Sequence, residues 1–296
     1  MNQVWIAAAL LLSVPPAAAP PAVAAVVLGI AQDGGVPHLG CRQKLCLDAR
    51  RDRSKRRLVA SLGLVDRRAG KRFLIDATPD LAEQVSRLGG LPDGILLTHA
   101  HIGHYLGLAQ LGREVLNARG MPVFCTPSMA RFLRENGPWS RLVKLGNIAI
   151  REIEPGSEFP LTDSLRVTAL RVPHRDEDSD TVAYLVAGPS KKLLWLPDID
   201  KWEKWDRSVE DVVADTDTAF LDGTFFSADE IPGRSIAEIP HPLVPETMDR
   251  LSRTPSGRVF FVHLNHTNRL LWDAAAVRRL RSKGFGVATQ GQRIPL

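Results

Sequence analysis

A chain of 296 residues, 44% hydrophobic and 24% charged, can bury a large core and is neither wholly disordered nor a multi-span membrane protein by composition. Its net charge of +5 permits anion binding. The densest basic run, Arg50 to Arg57, has no interleaved aromatic residue, so it reads as a solvated helix or loop, and no nucleic-acid partner is expected.

Residues 1–24 run apolar from Val4 through Val14 and then into the Ala/Pro stretch Pro15 to Ala24, the pattern of a secretory signal. Ala22-Val23-Ala24 offers a small-residue cleavage site. Ala17-Ala18-Ala19 offers another, with Pro20 against it, and the start lacks a Lys or Arg. The expectation is a periplasmic or secreted protein with one domain over 25–296. The apolar run is too short to span a bilayer comfortably, so no stable span is expected after cleavage.

Ala25 to Ile30 reads as a strand ending in the turn Gln32-Asp33-Gly34-Gly35. Cys41 and Cys46 follow, able to close a small disulfide or to supply half of a metal site; with Cys125 the cysteine count is odd. Leu58 to Val65 and Arg72 to Ile75 read as a hairpin with Gly70 in its loop, and Leu81 to Leu88 as a helix stopped by Gly89-Gly90. Ile95-Leu96-Leu97 is strand-like. After it, Tyr105 to Arg119 reads as a helix with Leu106, Ala109, Val115 and Leu116 inward. Val123-Phe124-Cys125 is a strand with a buried thiol, Ser128 to Glu135 a helix, Leu165 to Val172 and Thr181 to Val186 strands, and Asp273 to Ser282 a late helix.

Between Leu97 and Tyr105 lies Thr98-His99-Ala100-His101-Ile102-Gly103-His104, three imidazoles in six residues. On a helix His99 and His101 would face nearly opposite ways, but in a loop leaving a strand they can converge on one ion. Imidazole suits zinc, iron and copper. Other short apolar runs also end in a residue that binds metal or handles protons: Phe73-Leu74-Ile75 leads to Asp76, Leu170 to Pro173 to His174, and Leu193 to Pro197 to Asp198 and Asp200. Ala219-Phe220-Leu221 leads to Asp222, and Val259 to Val262 to His263 and His266. Rigid strands that carry ligands at their ends are a way to preorganise a metal centre. Trp202 and Trp205 can share a helical face, as core or as a pocket wall. His38 reads as structural.

These residues resemble the metallo-beta-lactamase superfamily, with His-x-His-x-Asp-His after a strand and single His, Asp and His residues at later strand ends. The matching positions are His99, His101, His104, His174, Asp198 and His263, with Asp76 at the earlier structural aspartate. Within it the chain looks most like coenzyme PQQ synthesis protein B and its secreted relatives, on Leu28 to Gly35, the Cys41/Cys46 loop, Asp222 to Phe225 and His263 to Asn268. The resemblance implies an α/β fold, a four-layer αββα sandwich with a metal site on one edge. It also implies one or two zinc ions, or Fe2+ or Mn2+, on His99, His101, His104, His174, Asp198 and His263. The implied activity is hydrolysis of a small-molecule ester, lactone, amide or phosphodiester. Asp198 would bridge two ions or take a proton from water, His241 would protonate the leaving group as the distal histidine of the superfamily's phosphodiesterases does, and Asp222 would orient a catalytic histidine. The alternatives are an iron hydroxylase of the PQQ-biosynthesis type and a periplasmic carrier of PQQ or a precursor.

One position departs from the motif. Gly103 stands where the family has an aspartate that binds the second metal. A second ion could still be held by His104, Asp198 and His263, with a water or Asp200 filling the gap, and Gly103→Asp is expected to raise the number of ions bound.

Overall fold

The computed structural model describes residues 21–231, 233, 235 and 238–296. Most of the expected signal segment, including Ala17-Ala18-Ala19, lies outside the described residues. The first strand, β1 (Val23–Gly29), starts two residues before the expected domain boundary, and Val23 and Ala24 are paired with Asp66 and Val65. Cleavage after Ala24 would therefore remove the beginning of a buried strand.

Along β1 the side chains alternate between two interiors. Val23, Ala25 and Val27 belong to one core, Val26 and Leu28 to another. A strand covered on both faces reads as continuous hydrophobic sequence, which is why no polar alternation marks it. β2 (Ser61–Asp66) and β3 (Lys71–Ile75) form the expected hairpin, with Leu62 opposite Ile75. Its turn is held by the Asp66 carboxylate, which accepts from the amides of Arg68 and Ala69 at 3.0 Å. β4 (Gly94–Leu96), β5 (Met121–Cys125) and β6 (Ile148–Glu152) extend the sheet in parallel.

The second sheet contains β7 (Glu158–Thr162), β8 (Leu165–Val172), β9 (Thr181–Ala187), β10 (Lys192–Leu196), β11 (Thr218–Asp222), β12 (Val259–Val262) and β13 (Gly286–Val287). β14 (Arg293–Pro295) returns to pair with β1. The described residues thus form two seven-stranded sheets, ordered β14-β1-β2-β3-β4-β5-β6 and β13-β12-β11-β10-β9-β8-β7. Leu62, Leu64 and Ile75 of the first share a core with Val167, Tyr184 and Trp195 of the second. Helices complete a four-layer αββα sandwich: α1 (Lys44–Arg51), α2 (Leu81–Leu88), α3 (Ile102–Tyr105), α4 (Pro127–Glu135), α5 (Trp139–Lys144), α6 (Val209–Ala214), α7 (Val244–Arg250) and α8 (Ala274–Ser282). Residues of α2, α4 and α5 pack with Leu74 and Ile95 on the first sheet's outer face, and residues of α6, α7 and α8 join the core of the second.

The long helix expected over Tyr105 to Arg119 does not form. α3 ends at Tyr105, a 3-10 segment covers Leu106–Leu111, and Val115 and Leu116 are exposed. Gly107 explains the tightening: its amide donates to the Ala77 carbonyl at 2.8 Å, and a Cβ there would lie 2.1 Å from the Thr78 carbonyl oxygen. The chain is pulled against the segment after β3, which a regular helix with side chains could not approach. Trp202 and Trp205 belong to the core, their indole nitrogens donating to Thr247 Oγ1 at 3.0 Å and to the Arg171 carbonyl at 2.9 Å. Arg51, Arg53 and Lys55 in the basic run are exposed, and Lys44 and Lys55 both pair with Asp48. Among the described residues no helix is long and apolar enough to cross a membrane.

Candidate metal centre

β3, β4, β8, β10, β11 and β12 all deliver their C-terminal ends to one edge of the sandwich, because the two sheets are parallel or doubly antiparallel along these strands. Links between the sheets lock that edge. The Val182 amide donates to the Thr98 carbonyl at 3.0 Å, Tyr184 Oη to the Leu97 carbonyl at 2.7 Å, and the Leu264 amide to the Ile30 carbonyl at 2.8 Å.

The edge gathers His99, His101 and His174 into one group whose donor atoms lie within 4.8 Å of one another. A second group of the same tightness holds His104, His263 and Asp33. Asp198 lies between them, with Oδ1 3.8 Å from His174 Nε2 and Oδ2 3.2 Å from His104 Nε2 and 3.4 Å from His263 Nε2. Nε2 of His99, His104, His174 and His263, Oδ2 of Asp198 and Oδ1 of Asp33 are all buried without a hydrogen-bond partner. Buried polar atoms are rarely left unsatisfied. So many orphans converging on one place, nitrogen and carboxylate together, suit divalent transition-metal ions.

The other ring nitrogens are held by two similar anchors. Asp76 accepts from the Thr98 amide at 2.8 Å, from Thr98 Oγ1 at 3.0 Å and from His104 Nδ1 at 2.7 Å. Thr98 has given its proton to Asp76, so its oxygen accepts from His99 Nδ1 at 3.0 Å. Asp222 accepts from the Thr224 amide at 2.9 Å, from Thr224 Oγ1 at 2.7 Å, from the Ile199 amide at 3.1 Å and from His241 Nδ1 at 2.7 Å. Thr224 Oγ1 in turn accepts from His263 Nδ1 at 2.9 Å. Each anchor fixes the tautomer that leaves Nε2 free for an ion or substrate. Asp76 and His263 hold this arrangement with φ of +67° and +61°, a left-handed backbone that costs a non-glycine residue about 1 to 3 kcal/mol.

Charge follows from this packing. Burial, reinforced by neighbouring His104, keeps the His99 pKa well below the usual histidine value. Burial likewise pushes His174 down to about 4. Both are neutral at pH 7, the form that binds metal. Burial opposes charge on His104, yet Asp76 and Asp198 outweigh it and hold its pKa well above the ordinary value. Burial also opposes ionisation of Asp198, but His263 and His104 keep it well below the carboxylate range. For His241 the penalty of burial is overcome by Asp222, and its pKa is raised.

The structure therefore brings together His99, His101, His104, His174, Asp198, Asp222, His241 and His263. It does not place Asp200 there as a stand-in ligand: its carboxylate accepts from Lys204 Nζ and from the Lys201 amide, both at 2.7 Å. The residue missing from the sequence reading is Asp33, where the turn signal masked a seventh strand end carrying a carboxylate. A side chain at Gly103 has no room, since a Cβ would lie 2.0 Å from Asp33 Oδ1. Gly103→Asp therefore cannot simply add a ligand, contrary to the expectation from the motif. Cys41 and Cys46 are free thiols, with Cys46 Sγ accepting from the His38 amide at 3.3 Å. His266 lies apart from the centre, stacked on His38 with ring centroids 4.1 Å apart.

Residues 71–264 match the beta-lactamase superfamily domain. Over 92% of its length the chain is similar to coenzyme PQQ synthesis protein B of Rhizobium meliloti (strain 1021), 25% identical in an alignment of 303 residues that covers 97% of that protein. Among solved structures it is similar in fold to zinc-bound PqqB from Methylobacterium extorquens, with TM-score 0.78, 23% identity and coverage of 92% and 100% of the two chains. A diphosphatase from the PhnP family shares the fold at TM-score 0.70 and 22% identity, over 92% of this chain and 96% of that one.

Proposed function

Because the chain belongs to the metallo-beta-lactamase superfamily, we propose that it is a metal-dependent hydrolase acting on an ester, lactone, amide or phosphodiester bond of a small molecule. The observation that carries this reading is the division of Asp198 between two donor groups, one oxygen toward His174 and the other toward His104 and His263. One or two divalent ions on these donors, zinc or else manganese or iron, supply a water of lowered pKa and polarise the bond under attack.

The protein's own residues do the rest. His99, His101 and His174 would hold an ion on one side, and Asp33, His104 and His263 on the other, with any proton on the His104 ring released as an ion takes its place. Asp198, kept ionised by its histidine neighbours, reaches both groups; it would serve two ions together or, with only one ion held, accept a proton from the attacking water. His241 shares a close group with His174 and Asp198 and is anchored through Nδ1 by Asp222. Asp222 raises its pKa and so favours the protonated ring, whose Nε2–H would be the group that protonates a leaving oxygen. Within the proposed range, the resemblance of this acid to the distal histidine of the superfamily's phosphodiesterases points first to phosphodiesters. The similarity in fold to a PhnP-family diphosphatase supports that preference. The apolar N-terminal segment supports a periplasmic or secreted location.

A second reading follows from the name shared by the full-length relatives: iron-dependent hydroxylation in PQQ synthesis, or carriage of PQQ or a precursor. Elemental analysis of the purified protein, with turnover of chromogenic phosphodiester, ester and lactone substrates, tests the choice. Hydrolysis predicts zinc or manganese, and His101→Ala and His174→Ala should lose both ion and turnover. Iron with oxygen uptake would favour the hydroxylase, and a metal-free protein that still bound PQQ would favour the carrier.

A further inference from the structure

We infer that Asp33 supplies the carboxylate of the second ion site, a role moved from the histidine motif to the turn after β1, with Gly103 as the vacancy that makes room for it. The inference rests on the metal centre proposed above and adds a ligand from a different part of the chain.

Three observations carry it. First, Asp33 Oδ1 is buried without a hydrogen-bond partner, 3.4 Å from His104 Nε2 and 3.8 Å from His263 Nε2, and both of those nitrogens are themselves unpartnered. A buried ionised oxygen that faces two imidazole nitrogens reserved by their tautomers has an ion as its natural complement. Second, the positions are mutually exclusive. A Cβ on residue 103 would fall 2.0 Å from Asp33 Oδ1 and 2.7 Å from Asp33 Cα. An aspartate in the motif and Asp33 in its present place cannot coexist, so the glycine is a requirement of this arrangement and not merely a lost ligand.

Third, the turn that carries Asp33 is clamped. The Gln32 amide donates to the Leu264 carbonyl at 3.0 Å and the Gly35 amide to the Gln32 carbonyl at 2.7 Å. Gly34 lies under His38, where a Cβ would meet the imidazole at 2.5 Å, and Gly35 takes φ +63°. Because Leu264 follows His263 directly, the bond to Leu264 fixes Asp33 relative to a ligand of the same site. A carboxylate at 103 would have been a neighbour of His104 in sequence. One at 33 instead makes the ion a tie between the β1 turn and the ends of β10 and β12, so loading should order residues 30–36 as well as the histidines.

The test is metal stoichiometry, with no need for a substrate. Full-length protein is stripped, equilibrated with Zn2+, freed of excess ion and analysed for zinc per chain, with circular dichroism of the stripped forms as the control for folding. Wild type should bind two equivalents, and Asp33→Asn and Asp33→Ala one, the second ion weakened by roughly 100-fold or more. Gly103→Asp should bind no more than wild type. Hydrogen exchange at residues 30–36 should slow on loading in wild type and not in Asp33→Asn. Folded Asp33 variants that keep every wild-type equivalent at wild-type affinity would overturn the inference while leaving the hydrolase reading intact. A wild-type chain that binds no ion would overturn both readings, whatever the variants do.

Discussion

Asp76 touches no ion in the proposed centre, yet its removal should be felt there, and the size of the effect can be worked from its contacts. The carboxylate receives the Thr98 amide, the Thr98 hydroxyl and His104 Nδ1, all buried. Asp76→Ala strands these three donors at about 1 to 3 kcal/mol each, and an alanine at φ +67° adds roughly 1 kcal/mol. The sum is a large part of the 5 to 15 kcal/mol that a typical domain has, so the alanine variant should fold poorly. Asp76→Asn is the sharper experiment. Asparagine tolerates the left-handed backbone and keeps one oxygen acceptor for Thr98, while an NH2 group replaces the oxygen that faces His104 Nδ1, so it removes both the charge and one acceptor. Without that charge His104 loses its strongest support for a raised pKa and its fixed tautomer. The affinity of the second ion should fall by about 10- to 100-fold, or roughly 1.4 to 2.7 kcal/mol. Competition for Zn2+ with a chromophoric chelator measures this, with thermal unfolding of the stripped protein as control. A folded Asp76→Asn that binds both ions as tightly as wild type would refute the anchoring role.

Three further outcomes are expected. His241→Ala should keep its metal while turnover falls about 10²- to 10⁴-fold, the usual worth of a general acid; loss of metal instead would make His241 a ligand. The stripped protein should lose stability between pH 6.5 and about 4. The lowered pKa of His174 means that the unfolded chain takes up the proton first as pH falls, a change of about 3 kcal/mol to which His99, also lowered, adds in the same direction, whereas the raised pKa of His104 and His241 leaves their contribution constant below pH 6.5. Urea unfolding across that range measures it, and a flat profile would contradict the buried neutral state of His174. Burial pushes the Cys125 thiol up to about 12, so a thiol reagent at pH 8 should leave it unlabelled until the protein is unfolded; rapid labelling of the native chain would contradict its placement.

Much of this candidate site was legible because most of its residues follow a short apolar strand, and strand ends are where a parallel arrangement collects residues. His99, His174, Asp198, Asp222 and His263 announce themselves by that pattern, and the superfamily likeness supplied the sandwich that aligns them. Asp33 did not, although it too follows a strand. Gln32-Asp33-Gly34-Gly35 is a strong turn signal, and its local reading is complete without a ligand role. What makes it a candidate ligand is the contact of Ala31 with Leu264, an isolated bridge between distant segments that no local period encodes. The failed helix at Tyr105 has the same origin. Its apolar spacing was sound, but Gly107 answers to the carbonyls of Ala77 and Thr78, so tertiary contact overrode local preference.

The two anchors also divide the centre unequally. His99, His104, His241 and His263 each give Nδ1 to Thr98, Asp76, Asp222 or Thr224, whereas neither nitrogen of His174 has a partner. His101 turns Nε2 to Glu177 at 3.1 Å, a carboxylate largely in solvent. The protein thus fixes the His104/His263 side by its own hydrogen bonds and leaves His174 held by packing among the rings of His99, His101 and His241, 5.0 to 5.4 Å away. A buried imidazole with both nitrogens bare is costly, and an ion is the partner that relieves it. An ion at the first group of the proposed centre would therefore do structural as well as chemical work: it would give a partner to one nitrogen of the histidine that the fold positions without any hydrogen bond.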